Sequence, residues 1–465
     1  MLSDTQRLFF AVLFLFFVVK CIAEWCYLSD LIMNLRLKLV FLAVLTGLTC
    51  HSSFRAQAQD IPLPVIPPAV FNITNYGAIG DGTTLNTAAI QKTIDACSAA
   101  GGGTVLVPAG KFLFSPITLA SSINLHLDRG AVLLISDDLK TYPMNAKRYK
   151  DCITVTDAHD IEISGDGVID GQGQAWWNAF VADLKADTHT LAHRPYMTKI
   201  SNCTRLRVIG VTLKNSPMFH LVTPNCTDVT IQDITIKSPS NAANTDGMDP
   251  SGWNYLITGC FVDTGDDNIA IKPTAGRTPG DKNFLVSNCV FLHGHGLSIG
   301  GGSVNGLENL TVSNCTFNGT DSGIRIKTGR GNSGLVQNLT YENITMTDVK
   351  NPIYINDYYP ERNAPKDPAS EKAEPVTERT PRNQHIVIRN LSATNCPTAG
   401  TIRGLPEAPI TDLLLTNVNI SAGTGLIIQH ARDVKFVASK ITAQNGQNLA
   451  AFDAQIDGWD ARGPN

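Results

Sequence analysis

The sequence of 465 residues is poor in charged residues, in aromatic residues and in apolar runs long enough to cross a membrane. Charged residues make up 17% of the chain, aromatic residues 7%, and the net charge at pH 7 is −4. Without a basic surplus, nucleic-acid binding and general attraction to anionic membranes are not expected, so an anionic ligand would need a local cluster of cations. The hydrophobic fraction of 43% argues against a disordered chain. We therefore predict a globular protein with a large core.

The N-terminal region contains two apolar runs, at residues 8–19 and 39–48. Both are shorter than the roughly 17 residues that a membrane-spanning helix needs. The second run follows a basic stretch at residues 33–38 and precedes a small-x-small tripeptide at residues 56–58, which is the pattern of a secretory signal peptide with its cleavage site.

This pattern sets the predicted domain organisation. We predict that residues 1–58 form a targeting segment, with Met33 as the candidate true translation start, and that residues 59–465 form one secreted or periplasmic domain. An uncleaved N-terminal anchor made by the first apolar run is the alternative.

The placement of the cysteines beyond residue 58 is not typical of a disulfide-bonded protein. They number eight, an even count that would suit disulfides in an exported protein. Six of them, however, recur at one place in a repeated phrase: Cys203, Cys226, Cys260, Cys289, Cys315 and Cys396. We predict that these six form a stacked interior row of small apolar side chains, with some pairing left open.

The repeated phrase consists of a polar residue, alternating apolar residues, a turn residue and a second short apolar stretch. Its copies begin at Asp160, Arg205, Asp228, Asn254, Asn283, Asn309, Asn338, His385, Asp412 and Asp433. Most starts lie roughly 20 to 30 residues apart, and two gaps are about twice as long, each holding a less regular or interrupted repeat. Short strands at this period, without helical patterns between them, predict an all-β, single-domain, right-handed parallel β-helix of about ten coils. The polar residues should occupy its sharp turns.

Two segments fall outside the repeat. Residues 86–100 place Ile90, Ile94 and Cys97 on one side of a helix that ends at three glycines, which predicts a short helix capping the N-terminal end of the stack. Residues 357–384 are rich in proline and charge and predict a loop that overhangs one face.

Four consecutive coils carry polar motifs that a structural repeat does not require. These are Asn244-Thr245-Asp246, Asp266-Asp267, Gly294-His295-Gly296 and Arg325-Ile326-Lys327. Asp266 and His295 lie equally far from the starts of their own repeats, so both should project from one outer face, on strands about 4.8 Å apart. Each motif alone is more often a solvated turn or an exposed strand, but their succession in neighbouring coils favours a single site.

Three carboxylates, an imidazole and two cations at one place have the groups needed to cleave a glycosidic bond. Because neighbouring carboxylates cannot all ionise freely, at least one aspartate should have a raised pKa. A protonated carboxyl can then donate to the leaving oxygen while a carboxylate activates water on the other side of the sugar. Arg325 and Lys327 would suit the carboxylate of an acidic sugar. The histidines are not spaced as metal ligands, and we predict neither a metal nor a cofactor.

The ordered set of four motifs resembles the signature of glycoside hydrolase family 28, the polygalacturonases. The resemblance extends over about residues 65–455. It implies hydrolysis of α-1,4-galacturonosidic bonds in pectin with inversion. It also implies Asp266 as the general acid, and Asp246 and Asp267 as the groups that hold the attacking water.

The same resemblance implies roles for the remaining site residues. His295 would tune or share a proton with the acid, while Asn244, Arg325 and Lys327 would bind the substrate. A tyrosine should follow the next coil, and Tyr359 is favoured over Tyr358 for this position.

The chain departs from the family pattern where Pro360 and the long insertion follow this tyrosine, in place of a cysteine found in many members. This favours, as a hypothesis, an enzyme that works from chain ends. The alternatives are a hydrolase of a branched pectin (rhamnogalacturonan or xylogalacturonan), a calcium-dependent pectate lyase, and a non-catalytic carbohydrate-binding β-helix. The expected partner is a polysaccharide, and we expect a monomer that binds neither nucleic acid nor, once the targeting segment is removed, a membrane.

Overall fold

The protein is described here from a computed structural model that covers residues 61–145, 148–191, 193–273, 280–301, 305–332, 334–360, 364–365 and 371–459. The predicted targeting segment, residues 1–58, lies outside the described residues. Within them, no helix is both long and apolar enough to cross a bilayer.

Short strands dominate the described chain. The helices are α1 (Thr87–Ala99) and α2 (Gln174–Lys185), with 3₁₀ turns at Ile73–Tyr76 and Leu139–Thr141. The strands are β1 (Val70–Asn72), β2 (Asp81–Leu85), β3 (Gly103–Val107), β4 (Gly110–Phe114), β5 (Ile117–Thr118), β6 (Ile123–Leu127), β7 (Ala131–Ile135), β8 (Met144–Asn145), β9 (Arg148–Tyr149), β10 (Ile153–Thr156), β11 (His159–Gly165), β12 (Val168–Asp170), β13 (Thr198–Ser201), β14 (Thr204–Ile209), β15 (Thr212–Lys214), β16 (Leu221–Gln232), β17 (Thr235–Lys237), β18 (Met248–Thr258), β19 (Phe261–Thr264), β20 (Ile269–Ile271), β21 (Asp281–Ser287), β22 (Val290–His293), β23 (Leu297–Gly300), β24 (Leu307–Ser313), β25 (Thr316–Asn318), β26 (Ser322–Lys327), β27 (Leu335–Thr347), β28 (Asn351–Asn356), β29 (Arg382–Arg403), β30 (Ile410–Val437) and β31 (Lys440–Asp457).

The strands pair in parallel with the equivalent strand of the next coil. One continuous stack runs through β3, β6, β11, β14, β16, β18, β21, β24, β27, β29 and β30. The small pair β8–β9 is antiparallel and stands apart from the main sheet. The predicted right-handed parallel β-helix is confirmed.

The residue that begins each predicted repeat occupies a left-handed backbone conformation. All ten have φ between 51° and 62°. Asparagine tolerates this region because its short side chain can hydrogen-bond locally. The side chains also form a ladder, in which Asn283 Nδ2 donates to Asn254 Oδ1 at 3.0 Å and Asn309 Nδ2 donates to Asn283 Oδ1 at 3.0 Å. The prediction that these polar residues occupy turns is therefore confirmed.

The core is the interior of the stack. Its apolar side chains alternate with outward ones along each strand, and rings of successive coils pack face to face, as in Tyr255 and Phe284, whose centroids are 4.6 Å apart. The six repeated cysteines are between 0% and 4% exposed, and all eight cysteines of the described chain are free thiols. The predicted interior row of cysteines is confirmed.

The N-terminal helix matches its prediction to within one residue at each end. Helix α1 buries Ile90, Ile94 and Cys97 against the first coils, which covers the open end of the core.

Both long gaps between repeats are single coils lengthened by an insertion. Residue His159 pairs directly with Thr204, and Leu339 with Ile386, so no further coil is hidden in either gap. The first insertion contains α2, which the sequence did not predict. The second is the segment that follows Tyr359.

Candidate active site

One outer face of the stack brings the four motifs together. Strands β18, β20, β23 and β26 are stacked through Met248, Ile269, Leu297 and Ile324. Two residues before the first three of these positions stand Asp246, Asp267 and His295. The sequence set Asp266 level with His295, but the register sets Asp267 there, because the two strands are 28 residues apart and the repeat starts are 29 apart. Asp266 lies one residue earlier, and its side chain still contacts His295.

Asp267 is the buried centre of this column. It is 1% exposed, and Arg325 Nη1 donates to its Oδ1 at 2.6 Å while Lys327 Nζ donates to its Oδ2 at 2.5 Å. Ser298 Oγ donates to the same Oδ1 at 2.9 Å. Burial opposes its ionisation, but the hydrogen bond from His295 and the charges of the two cations hold the pKa of Asp267 well below its usual range. Asp267 is therefore the aspartate of the site that ionises most readily.

Asp266 is the more exposed neighbour and forms a pair with His295. Its side chain keeps 21% of its surface exposed, and its Oδ1 lies 3.0 Å from His295 Nδ1. Asn244 Nδ2 donates to its other oxygen at 3.5 Å. Burial opposes ionisation of Asp266, yet the hydrogen bond from His295 prevails and lowers the pKa of Asp266. The same contact raises the pKa of His295 to about 9. The pair therefore holds one proton between an acid and an imidazole at neutral pH.

Asp246 is linked to two residues that the sequence analysis did not identify. Lys272 Nζ donates to Asp246 Oδ2 at 2.8 Å and to Asp249 Oδ2 at 2.9 Å. Asp246 and Asp249 are 3% and 5% exposed, and the second oxygen of each is buried without a hydrogen-bond partner among the described residues. Burial and repulsion by Asp249 raise the pKa of Asp246 well above its usual value, against the charge of Lys272. The raised pKa that the sequence analysis expected of the proton donor therefore falls on Asp246, whereas the pKa of Asp266, the implied general acid, is lowered.

A sequence signal for Lys272 was present. It follows Ile269-Ala270-Ile271 as Lys327 follows Ile324-Arg325-Ile326, and the two isoleucines of each triplet lie in register through β23. Lys272 therefore extends from the same column of the face as Lys327, two coils earlier.

A buried arginine holds Asn244 in place. Arg194 is fully buried; its Nε donates to Pro217 O at 2.8 Å and its Nη2 to Ala243 O at 2.8 Å and to Asn244 Oδ1 at 3.3 Å. Its guanidinium lies 3.8 Å from the ring centroid of Phe180 in α2. The unpredicted helix thus packs against the residue that fixes the first motif.

Tyr359 and Tyr358 point to different surroundings. The ring of Tyr359 is half-buried and its centroid lies 5.5 Å from Lys327 Nζ. Tyr358 is 2% exposed and its hydroxyl donates to Glu371. Tyr359 is therefore the tyrosine beside the cationic part of the site.

The ligand atoms of Asp266, Asp267 and His295 lie within 4.8 Å of one another, a spacing that could hold a metal ion. Both oxygens of Asp267, however, are already bound by Arg325 and Lys327. These cations already balance the charge of Asp267 and would repel a further cation, so a resident metal is disfavoured on electrostatic grounds.

Buried carboxylates matched by cations, beside an acid–imidazole pair on the open face of a β-helix, are the equipment of an enzyme that cleaves sugar chains. The sequence model of glycosyl hydrolases family 28 matches residues 97–445. The chain therefore belongs to that family and is a glycoside hydrolase.

The relatives of the chain carry related names. It is 34% identical over 370 residues to a probable polygalacturonase of Arabidopsis thaliana, an alignment that covers 77% of this chain and 76% of that protein. It is 33% identical over 341 residues to an endo-polygalacturonase of Pectobacterium carotovorum subsp. carotovorum, covering 68% and 81%. Among solved structures, an exopolygalacturonase from Thermotoga maritima matches with a TM-score of 0.66 and 26% identity over 86% of this chain and 94% of that one.

Proposed function

We propose that this protein hydrolyses α-1,4-galacturonosidic bonds in pectin with inversion at the anomeric carbon. The observation that carries the proposal is the division of the three motif aspartates into one that is partly exposed and two that are buried. Asp266 is partly exposed and shares a proton with His295, whereas Asp246 and Asp267 are buried beside it. An inverting glycosidase needs this asymmetry, with an acid at the leaving group and carboxylates around the water.

The reaction follows from these protonation states. Asp266, supplied with a proton by His295, protonates the glycosidic oxygen as its bond to the anomeric carbon breaks. Asp246 takes a proton from the water that attacks this carbon from the opposite face. Asp267 stays ionised and orients the same water. Asp246 suits the role of base, since a carboxylate with a raised pKa accepts a proton more readily than an ordinary one.

The cations give the site its preference for an acidic sugar. Arg325 keeps 17% of its side chain exposed while bound to Asp267, and Lys327 lies between that carboxylate and the ring of Tyr359. A galacturonate carboxylate can accept from the remaining guanidinium donors. This supports galacturonan as the substrate.

Incubation with polygalacturonic acid in the presence of a chelator tests the proposal. Reducing ends should appear, the first product should carry the inverted anomer by NMR, and Asp266→Asn should lose at least about 10²-fold in rate. Asp166→Asn, a change at an exposed surface carboxylate, is the matched control. Products with an unsaturated ring would indicate a lyase instead. A folded protein that cleaves no galacturonan, plain or branched, would favour a non-catalytic carbohydrate-binding protein.

We also propose that the insertion after Tyr359 limits cleavage to chain ends. Arg330, three residues after Lys327, donates to Glu371 at 2.9 Å and to Glu407 at 2.7 Å, and both carboxylates are largely buried. This contact fixes part of the insertion beside the cationic end of the site. Monomeric galacturonate as the main early product would support the proposal, and a mixture of long oligomers would contradict it.

The chain's location follows from its N-terminal pattern. We propose that residues 1–58 direct export and are removed, and that residues 59–465 act as a secreted or periplasmic monomer on cell-wall pectin. The apolar run with its basic flank and small-residue cleavage site supports this.

A further inference from the structure

A second group of cations lies on the same outer face, towards the N-terminal end of the stack. Arg148 of β9, Lys150 and Asp151 border a hollow of about 390 Å³, together with Tyr149 and Thr154. Neither the sequence motifs nor the proposed reaction uses these residues.

The strand register places this hollow in line with the catalytic column. Thr154 pairs with Lys199, Lys199 with Val222, and Val222 with Asp249, which shares Lys272 with Asp246. Three strand spacings therefore separate the hollow from Asp249, and a fourth leads to the coil of Asp266, a distance of about 19 Å. A linear sugar chain that lies along the stack would pass over both.

A buried carboxylate holds the cations in position. Asp151 is 7% exposed and accepts from the backbone N–H of Tyr196 at 2.9 Å and from Arg148 Nη2 at 3.2 Å, while Lys199 Nζ lies 3.7 Å from its other oxygen. The Arg148 guanidinium also lies over the ring of Tyr196, 4.5 Å from the centroid. Arg148 and Lys199 still keep 36% and 32% of their side chains exposed. Arg148 and Lys199 thus face one carboxylate, and Lys150 Nζ donates to Thr118 Oγ1 at 3.1 Å, so the group carries a positive excess.

The wall of the hollow is fixed by aromatic packing. Tyr149 packs edge-on against Trp176 of α2 at 4.9 Å and against Tyr142 at 6.5 Å. The antiparallel pair β8–β9, which presents Arg148, is thereby anchored to the body of the protein. The cations are preorganised rather than mobile, which reduces the entropy lost on binding.

We infer that this hollow is a distal subsite that binds the carboxylate of a uronate unit in the same polysaccharide chain, several sugars from the bond that is cleaved. The inference rests on the proposed function. A guanidinium held by one carboxylate at its rear can donate to a second carboxylate in front. An anionic chain would gain affinity here without altering the chemistry at Asp266.

The double variant Arg148→Gln/Lys199→Gln tests this inference against a matched pair of substrates. On polygalacturonate, kcat/KM should fall about tenfold, whereas on digalacturonate, which is too short to reach the hollow, it should change less than twofold. Lys92→Gln, an exposed change on α1 at the capped end, should alter neither. An equal loss on both substrates, or no loss on either, would overturn the subsite.

A binding measurement separates this inference from the proposed function. Hexagalacturonate should bind the Asp266→Asn variant at least fivefold more tightly than it binds the triple variant that also lacks the two cations, as measured by calorimetry. If the wild type cleaves no galacturonan but this difference is present, the proposed function fails and the subsite stands. If cleavage occurs and the two affinities are equal, the subsite is wrong.

Discussion

At the scale of single residues, the distribution of cations decides which aspartate of the site is ionised. Burial alone would favour the neutral form of each. Two cations bind Asp267 and lower its pKa, but one cation, Lys272, serves both Asp246 and Asp249. Burial raises the pKa of Asp249 to about 6, although Lys272 opposes the shift. Asp246 and Asp249 therefore ionise at higher pH than Asp267, and Lys272 controls how readily Asp246 becomes the carboxylate that acts as base.

The change Lys272→Met should lower kcat about 10²-fold on polygalacturonate. Removing the cation raises the pKa of Asp246 further, so its carboxylate form exists only at higher pH. The acid limb of kcat/KM should therefore move to higher pH, and a pH profile measures this shift. Lys272→Arg keeps the charge and should restore most of the activity. A loss of activity with an unchanged acid limb would mean that Lys272 serves the fold and not the protonation of Asp246.

The change His295→Gln should move the alkaline limb of kcat/KM to lower pH. In the wild type, the proton shared with Asp266 leaves near the pKa of about 9 that His295 acquires. Without the imidazolium the pKa of Asp266 rises from its lowered value, but a lone carboxyl still loses its proton far below pH 9. The expected shift exceeds about one pH unit. If the alkaline limb of kcat/KM did not move, the proton needed for catalysis would not be the one shared by Asp266 and His295.

The sequence predicted which residues form the site more accurately than it predicted which of the aspartates are protonated. The equal offsets of Asp266 and His295 within their repeats predicted neighbouring side chains on one face, which the structure shows, although the register sets Asp267 level with His295. Asp249 was missed because it looks like an ordinary strand residue until its coil is stacked on the next. Lys272 was missed although its position after Ile-x-Ile matches that of Lys327. Arg194 lies in an insertion, so no repeat offset could place it beside Asn244.

At the scale of elements, the turns and strands were predictable because both obey local rules. Alternating apolar residues fix the inside of each strand, and a left-handed turn selects asparagine, aspartate or glycine. Helix α2 was missed although Trp177, Phe180 and Leu184 recur at helical spacing, because its segment was interpreted as an interrupted strand repeat. It exposes Val181 and Leu184 by 48% and 45% and buries Asp183, whose carboxylate accepts from the backbone N–H of Thr190 at 3.0 Å and of Leu191 at 2.9 Å.

The asparagine ladder permits a test of the turn. Asn283→Ala should lower the free energy of unfolding by about 1 to 3 kcal/mol, because alanine is strained at φ 61° and both ladder hydrogen bonds are lost. Asn283→Gly loses the same hydrogen bonds but accepts the left-handed turn, so it should cost less than alanine. Denaturant unfolding measures both. Equal losses would show that the hydrogen bonds, and not the backbone conformation, select asparagine here.

At the scale of the whole molecule, the stack converts a one-dimensional repeat into a face that suits a linear substrate. The basic hollow lies towards its N-terminal end, the acid–base residues lie in the middle, and the anchored insertion follows on the C-terminal side. Each of these three groups lies on a coil that is held by the neighbouring coils. The distances between the groups along a bound substrate are therefore set by the distance between strands. The repeat predicted this axis, but the two insertions that bound the face depend on contacts far apart in sequence, such as Arg330 with Glu407.

The buried cysteines report on the integrity of the same stack and on the extent of the mature chain. All eight thiols of the described chain are free and buried, from Cys97 in the cap to Cys396 near the far end. In the native protein a thiol reagent should react slowly, at the rate at which the stack opens. In denaturant without reductant it should find eight thiols if residues 1–58 have been removed, and eleven if they remain. Intact-mass measurement supplies the independent check of the N-terminus. Fewer than eight thiols would reveal disulfides, and rapid labelling of the native protein would contradict the closed interior row on which the β-helix depends.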